Sequence, residues 1–496
     1  AASRSAAAEG ESARRSEGGC GEVCNCSSDK CADAAGGPHA ADIPQAEAKW
    51  SSGVVFYPPS RKYWRIGGKW YDFADFLSKH PGGATVLKLA RDRFEDCTFV
   101  FEAHHHNYQK VRGIIKKYEV PEDQVRAEGL FRRPKRGEQG PSSWWWGTSE
   151  LPGHHDEKLD SGEVVQLLGH ESFYSVLRRR VTDHLREVGH PGGGPTTTCV
   201  ALFWVSFFMW MTTVFSVWWT GSVVVAVIHG LTSSVLGAFG HNWVHQPKYR
   251  FWAYLSLDTV GFSSDGWFRE HLLQHHMYTN TPWDNHFHGT DPFIVTDPTK
   301  ERNLYQKYVV PCLNPLILCF GLYANYITHA IEIIQGNEVF SVGKLLLPLQ
   351  VALLVSRWGW YGALLKFTGD AVLGVYYFTM ALMNHNAEHC LNVEARNASK
   401  DWAIAQLNSS ADWAVGSSFL GAGRFLWLNF HTVHHLFPLV DFSHHPAIQG
   451  ILVRTCKEFG VKYIAGEAFT IWKEMAHSFG NPLSLMQEVT VYAGGL

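Results

Sequence analysis

The sequence predicts a mainly α-helical fold: a multi-pass membrane bundle of about four spanning helices with a cytosolic helical cap, and a small α+β domain on the N-terminal side. Three observations carry this expectation. Residues 199–219 contain no charged side chain, and roughly 20 apolar residues in helical form cross one bilayer. A second apolar run at 222–240 follows directly after Thr220-Gly221, which reads as the turn of a helical hairpin. Residues 51–125, by contrast, mix polar and aromatic residues as a compact soluble domain does.

The elements follow in order along the 496 residues. Residues 1–50 are a low-complexity leader, expected to be disordered, that holds Cys20, Cys24, Cys26 and Cys31. No paired framework is visible among the ten cysteines, which fits a reducing, cytosol-facing setting better than secretion. The soluble domain covers 51–125. A linker and an amphipathic helix occupy 126–195, including Trp144-Trp145-Trp146, and the membrane domain runs over 196–496. Within the linker region, Phe173, Val176, Leu177, Val181 and Leu185 recur at helical spacing, and the Gly/Pro run 191–195 ends that helix. A second pair of membrane arms is expected at 345–365 and 367–388, with Arg357 inside the first arm having to snorkel or find a partner. The stretch 308–333 is apolar but interrupted by Pro311, Asn314 and Pro315, and reads as interfacial or re-entrant. The net charge of −3 argues against nucleic acid as a partner.

Twenty-seven histidines stand out, because many of them cluster. The clusters read His241-Asn-Trp-Val-His245, His271-Leu-Leu-Gln-His275-His276, and His431-Thr-Val-His434-His435. Residues three and four apart share one face of an α-helix, so each cluster is expected to aim its imidazoles at one point. Eight imidazoles without a thiolate suit more than one borderline metal ion. All clusters must then lie on one side of the bilayer, which two hairpins achieve. Arg178–Arg180, Arg186, Lys248, Arg250 and Arg269 lie on the cluster side, and the two expected opposite turns carry almost nothing basic. By the positive-inside rule the clusters face the cytosol.

In the soluble domain, Trp70-Tyr71-Asp72-Phe73-Ala74-Asp75-Phe76 leads into His80-Pro81-Gly82-Gly83, and His104-His105-His106 follows. This resembles the heme-binding domain of the cytochrome b5 family over about residues 54–120. The resemblance implies a heme b held by two axial histidines. His80 matches the first. For the second, simple spacing favours His104, whereas Asp96-Cys97-Thr98 and Phe101 favour His105, which is preferred. Two axial imidazoles leave no open position, so such a heme passes electrons.

The three histidine boxes, with about 30 residues from the first to the second and about 155 to the third, resemble the membrane fatty acid desaturases over roughly 196–470. Asp265-Gly-Trp-Phe-Arg-Glu-His271 and His434-His435-Leu436-Phe437-Pro438 resemble the surroundings of that family's second and third boxes. The fused heme domain is typical of its front-end subgroup. Asn242 stands where many front-end members carry Asp, and His431 where they usually carry Gln. The resemblance implies two non-heme irons on His241, His245, His271, His275, His276, His431, His434 and His435. A ninth ligand would come from His389 or His385. Glu270, Asp284, Glu388 and Asp412 are candidates to orient ligand N–H groups, while His286, His288, His444 and His445 read as supporting or surface residues. It further implies dioxygen as co-substrate, a lipid acyl chain as substrate, and an NADH-dependent cytochrome b5 reductase as electron source. The expected setting is the endoplasmic reticulum membrane, with heme domain and boxes facing the cytosol. Two other outcomes stay open: a hydroxylase of the same di-iron type, acting on acyl chains or sphingoid bases, and a non-catalytic membrane-anchored heme carrier.

Overall fold

In the computed structural model the described residues are 62–93, 97, 101, 104–105, 108–127, 173–276, 279–280, 284–335, 338, 340–391 and 402–480. The cysteine-bearing leader, His106 and Trp144–Trp146 lie outside them. The described residues all belong to one unit, Gln45–Leu496.

The N-terminal domain is built on a short antiparallel sheet. Strands β1 (Trp64–Ile66) and β2 (Lys69–Tyr71) turn through Gly67 and Gly68, both at positive φ (60° and 73°). Tight hairpin turns demand that conformation and glycine supplies it without strain. Strand β3 (Glu119–Val120) returns to pair with β2. Helices α1 (Ala84–Arg93) and α2 (Tyr108–Ile115) accompany the sheet, and Trp64, Ile66, Tyr71, Phe73, Phe101 and Ile115 are buried.

The amphipathic helix α3 (Phe173–Glu187) buries Phe173, Val176, Leu177, Val181 and Leu185, the residues whose spacing marked it. Its partners are both the N-terminal domain and the third box, since Phe101, Leu177 and Leu436 share one apolar core.

The first hairpin forms as its sequence dictates. Thr196 caps α4 (Thr197–Thr220) by accepting from the Cys199 N–H, Gly221 ends it at φ 63°, and Ser222 caps α5 (Val223–Trp243) in turn. Only 11% of the apolar window of α4 is buried, against 61% for α5. Val205, Phe208, Met209, Phe215 and Trp219 lie open on α4, an apolar surface too large for water to face. Helix α6 (Arg250–Val260) packs back on α5. The stretch that proline and asparagine interrupt becomes α7 (Val310–Leu318) and α8 (Gly321–Ile334), bent by 65° at the break.

The second hairpin differs from expectation. Its arms are α9 (Leu346–Trp358) and α10 (Trp360–Met383), and the break falls at Gly359 (φ 57°), not at 366 between the two expected arms. With 13 residues, α9 reaches about 20 Å, short of the roughly 30 Å hydrocarbon core. Lys366 and Asp370 lie within α10 as a buried ion pair. Among the described residues, two helices, α4 and α5, are long and apolar enough to cross a membrane, or three if the bent α7–α8 pair is one span. Arg357 therefore sits at the turn end rather than in mid-arm. It stacks over Trp218, Trp219 and Trp358 at 4.6, 5.2 and 5.4 Å and reaches the Trp219 carbonyl, a cation–π cage. Tyr361 donates to the Gly221 carbonyl, so the two turns meet at one end of the bundle. Helices α5 and α10 cross at Gly230, where a Cβ would lie 2.3 Å from the Gly369 carbonyl oxygen. Beyond the membrane domain's last arm come α11 (His431–Leu436) and α12 (His445–Phe459).

Candidate metal centre

At the end of the bundle opposite the two turns, nine histidines converge, and those of the boxes are all buried. His241 ends α5 and His245 lies just past it. His271 and His275 sit on a π-helical run, Phe268–His275, with His276 immediately after. π-Helical segments concentrate at functional sites because the wider turn re-aims side chains. His385 follows α10, and His431, His434 and His435 occupy α11.

Each box was expected to converge on a single point; the structure interleaves them instead. His241, His245, His271 and His434 form one group and His275, His385, His431 and His435 another, with ligand nitrogens in each group within 4.8 Å of one another. The second and third boxes thus each give residues to both groups. His276 belongs to neither four-residue group. Its Nε2 lies 3.1 Å from that of His271, and its ring stacks on His435 at 4.3 Å. His389 stands apart from both groups, with its Nε2 on the Ser410 carbonyl at 2.9 Å.

The hydrogen bonds explain why these groups suit a cation. His275 Nδ1 faces Asp284 Oδ2 at 2.9 Å, His385 Nδ1 faces the Ser409 carbonyl at 2.9 Å, and His435 Nδ1 faces Gln406 Oε1 at 2.9 Å. Such acceptors place the proton on Nδ1 and the lone pair on Nε2. Yet the Nε2 atoms face each other: His275–His385 at 3.0 Å, His385–His431 at 2.8 Å and His431–His435 at 3.0 Å. Converging lone pairs repel unless a cation sits among them. In the first group His241 and His271 Nε2 approach to 2.7 Å, and both nitrogens of His245 are buried without a hydrogen-bond partner among the described residues. Burial pushes the imidazoles of His245, His271, His276, His431, His434 and His435 well down, and His385 down to about 3. They are neutral, the form that binds metal.

Of the acids singled out by sequence, Asp284 receives the His275 N–H. Asp412 instead accepts from the Thr432 backbone N–H at 2.7 Å and from Tyr463. It thereby fixes the start of α11, and burial raises its carboxyl to about 6. Glu270 lines the cavity described below, and the Glu388 backbone N–H meets Glu474. Gln406 was not foreseen in this role, whereas His286 was read as a supporting or surface residue. Gln406 holds His435 and also donates to the His276 carbonyl. His286 lies 4.8 Å from the His275 ring and forms a third close group with His271 and His275. Gln406 carries no local signal, whereas His286 had one in its nearness to the second box.

Asn242 of the first box has a structural task. Its Nδ2 donates to Asp441 Oδ2 at 2.7 Å, beside the Trp243 Nε1 bond at 3.0 Å, and its Oδ1 accepts from the Phe442 N–H. Asn242→Asp would set two buried carboxylates together. It should destabilise the protein by about 3–5 kcal/mol, the scale of an uncompensated buried charge. Thermal unfolding in detergent measures this, and the double variant N242D/D441N should recover part of the loss. An unchanged midpoint for N242D would show that the pair does not bind as drawn.

In the N-terminal domain, His80 and His105 face each other with ring centroids 6.1 Å apart. His80 Nδ1 meets the Gly83 carbonyl and His105 Nδ1 the Phe101 carbonyl, which leaves each Nε2 as the ligand atom. A Cβ on Gly82 would come within 2.7 Å of His80 Cε1, and Gly83 holds φ at 94°. The Pro-Gly-Gly turn thus clears the imidazole. Burial lowers His105 to about 3. Both rings are therefore neutral and fit the axial positions of a heme, and His104 sits beside His105.

Residues 216–467 match the family described as fatty acid desaturase. The chain belongs to that family. Residues 54–123 of this desaturase match the cytochrome b5-like heme/steroid binding domain. It is similar to the acyl-lipid (8-3)-desaturase of Physcomitrium patens, 26% identical over 84% of this chain and 86% of that protein. The probable Delta(5) fatty acid desaturase C of Dictyostelium discoideum is 24% identical over 80% of this chain and 86% of its own length. The sn-1 linoleoyl-lipid 6-desaturase of Arthrospira platensis is 28% identical over 60% of this chain and 88% of its own.

A cavity of about 600 Å³ runs from the histidine groups of the desaturase to the bent α7–α8 pair, within the range of small-molecule sites. His241, His271, His275 and His431 line one end. Leu313, Leu316 and Phe320 line the other and are exposed on the apolar surface.

Proposed function

We propose that this desaturase introduces a double bond into a lipid-linked fatty acyl chain, on the carboxyl side of an existing one, at a pair of non-heme irons. The observation that carries the reading is the convergence of two four-histidine groups, lone pairs inward, at one end of a mostly apolar cavity. Bound there, the irons supply the activation of dioxygen needed to break unactivated C–H bonds. The balance is one alkene and two waters from two hydrogens of the chain, one dioxygen, two electrons and two protons.

The protein's own residues do the rest. His276 completes the ligand set, and Asp284, Ser409 and Gln406 fix the imidazole tautomers so that Nε2 faces inward. The apolar wall of α7–α8 takes the acyl chain from the bilayer and keeps water from the reacting carbons. The front-end position is supported by the names of the relatives in Physcomitrium and Dictyostelium. His80 and His105 would hold a heme b, which would supply one-electron transfer, with an NADH-dependent cytochrome b5 reductase as the electron source. α9 and α10 complete a four-helix membrane domain, the short α9 aided by the caged Arg357. The metal centre and heme domain face the cytosol from the endoplasmic reticulum membrane, supported by the basic residues beside the boxes.

Expression in a yeast that lacks polyunsaturated lipids, fed with defined fatty acids, tests the reading. New double bonds located by mass spectrometry on the carboxyl side of existing ones are expected. New hydroxyl groups without alkenes would replace desaturation by hydroxylation. No modified chain, with heme but no non-heme iron in the purified protein, would leave only an electron carrier.

A further inference from the structure

We propose that Arg178 and Arg250 are positioning residues that seat the heme-binding domain for electron transfer, each tying one axial-ligand loop to one histidine box. This rests on the electron-relay reading above. Arg178, on α3 and only 2% exposed, donates from Nη2 to the His105 carbonyl at 2.7 Å. Its guanidinium lies 5.1 Å from the Tyr174 ring, and the Tyr174 hydroxyl donates to the Leu436 carbonyl at 2.8 Å. Leu436 directly follows His435. An unbroken run of contacts thus joins the second heme ligand to the third box.

Arg250 repeats the arrangement on the other loop. Its Nη1 donates to the Gly82 carbonyl at 2.9 Å, two residues after His80, and its guanidinium lies 4.8 Å over the Phe268 ring. Phe268 is buried and opens the π-helical run that carries His271 and His275. Both arginines grip backbone carbonyls of the soluble domain. Those carbonyls move only if the ligand loops move. A planar guanidinium fixes direction as well as distance, and the apolar core shared by Phe101, Leu177 and Leu436 holds the two parts in contact. Electron transfer weakens steeply with each gap opened between donor and acceptor, so a loosened seat slows it without altering either end. At each transfer ferrous heme is oxidised by one electron and the non-heme centre is reduced by one. Two such electrons, supplied to the heme by the external reductase, are used per double bond.

The test uses the full-length holoprotein in detergent with Arg178→Gln, Arg250→Gln, the double variant, and the milder Arg178→Lys and Arg250→Lys. The heme is reduced beforehand, the protein is mixed with dioxygen and an acyl lipid, and loss of the ferrous heme band is followed. Each Gln variant should reoxidise at least about tenfold more slowly, the double variant more slowly still, and the Lys variants in between. Heme content, spectrum and midpoint potential should stay at wild-type values. In the heme-free chain, amide hydrogen exchange should rise in the loops around 80–83 and 101–105 and stay unchanged at 241–245, 271–276 and 431–436. Wild-type reoxidation rates in the Gln variants, or a fall that tracks heme loss in the Lys variants too, would overturn the positioning role. If ferrous heme in the wild-type protein is not reoxidised by substrate and dioxygen at all, the electron-relay reading itself falls.

Discussion

His385→Ala should abolish the desaturated product, by at least about 100-fold, while His389→Ala retains most of it. Both residues follow α10, four positions apart, and spacing alone treats them as equivalent. Their surroundings do not. His385 gives its Nδ1 proton to Ser409 and sets Nε2 within 3.0 Å of His275 and 2.8 Å of His431. His389 turns its Nε2 to the Ser410 carbonyl and so has no lone pair aimed at the group. Removing a ligand costs more than the roughly 10–100-fold typical of a supporting partner. Product analysis by mass spectrometry together with non-heme iron content checks this. Iron should fall in H385A and hold in H389A, and the heme spectrum should be unchanged in both. Equal losses in the two variants would remove His385 from the ligand set.

The second large effect concerns the heme. His105→Ala should eliminate the low-spin heme spectrum and, with it, reductase-dependent product. His104→Ala should keep both. The ring of His105 stands opposite His80 at 6.1 Å, and its Nδ1 is held by the Phe101 carbonyl at 2.7 Å, so Nε2 is presented to the gap. Absorbance of the reduced protein after heme supplementation reads the outcome directly. A preserved spectrum in H105A with loss in H104A would reverse the assignment. Retention in both would move the heme off this histidine pair.

Much of this architecture could be read from the chain. Residues 199–219 betray a spanning helix because lipid tolerates no unpaired charge, and Thr220-Gly221 marks its turn because glycine alone adopts φ 63° freely. The boxes were visible as clusters, and α3 by the period of its apolar face. What periodicity could not reveal was how the boxes divide. That division depends on a π-helical run at His271–His275 and on a six-residue helix at His431, neither of which leaves a compositional trace. The Gly359 break leaves no mark because the apolar run passes straight through it, and Lys366 and Asp370, at the expected joint of the arms, pair inside a helix. Asp284 lies close enough in sequence to the second box to be suspected. Gln406 and Asp441 do not advertise themselves, since Gln406 lies 29 residues from His435 and 130 from His276, and Asp441 lies 199 from Asn242.

The interleaving of the boxes has a mechanical result. Among the described residues no carboxylate belongs to either four-histidine group, so no short acidic side chain is on hand to act as a spacer between two ions. The gap is instead ruled off by main-chain pitch, along His271–His275 on one side and His434–His435 on the other. In the di-iron reading proposed above, filling one position would order both of these rails and thereby shape its neighbour, so the two ions should arrive and depart as a couple. A one-residue deletion between His271 and His275 would retune the gap where a side-chain replacement could not.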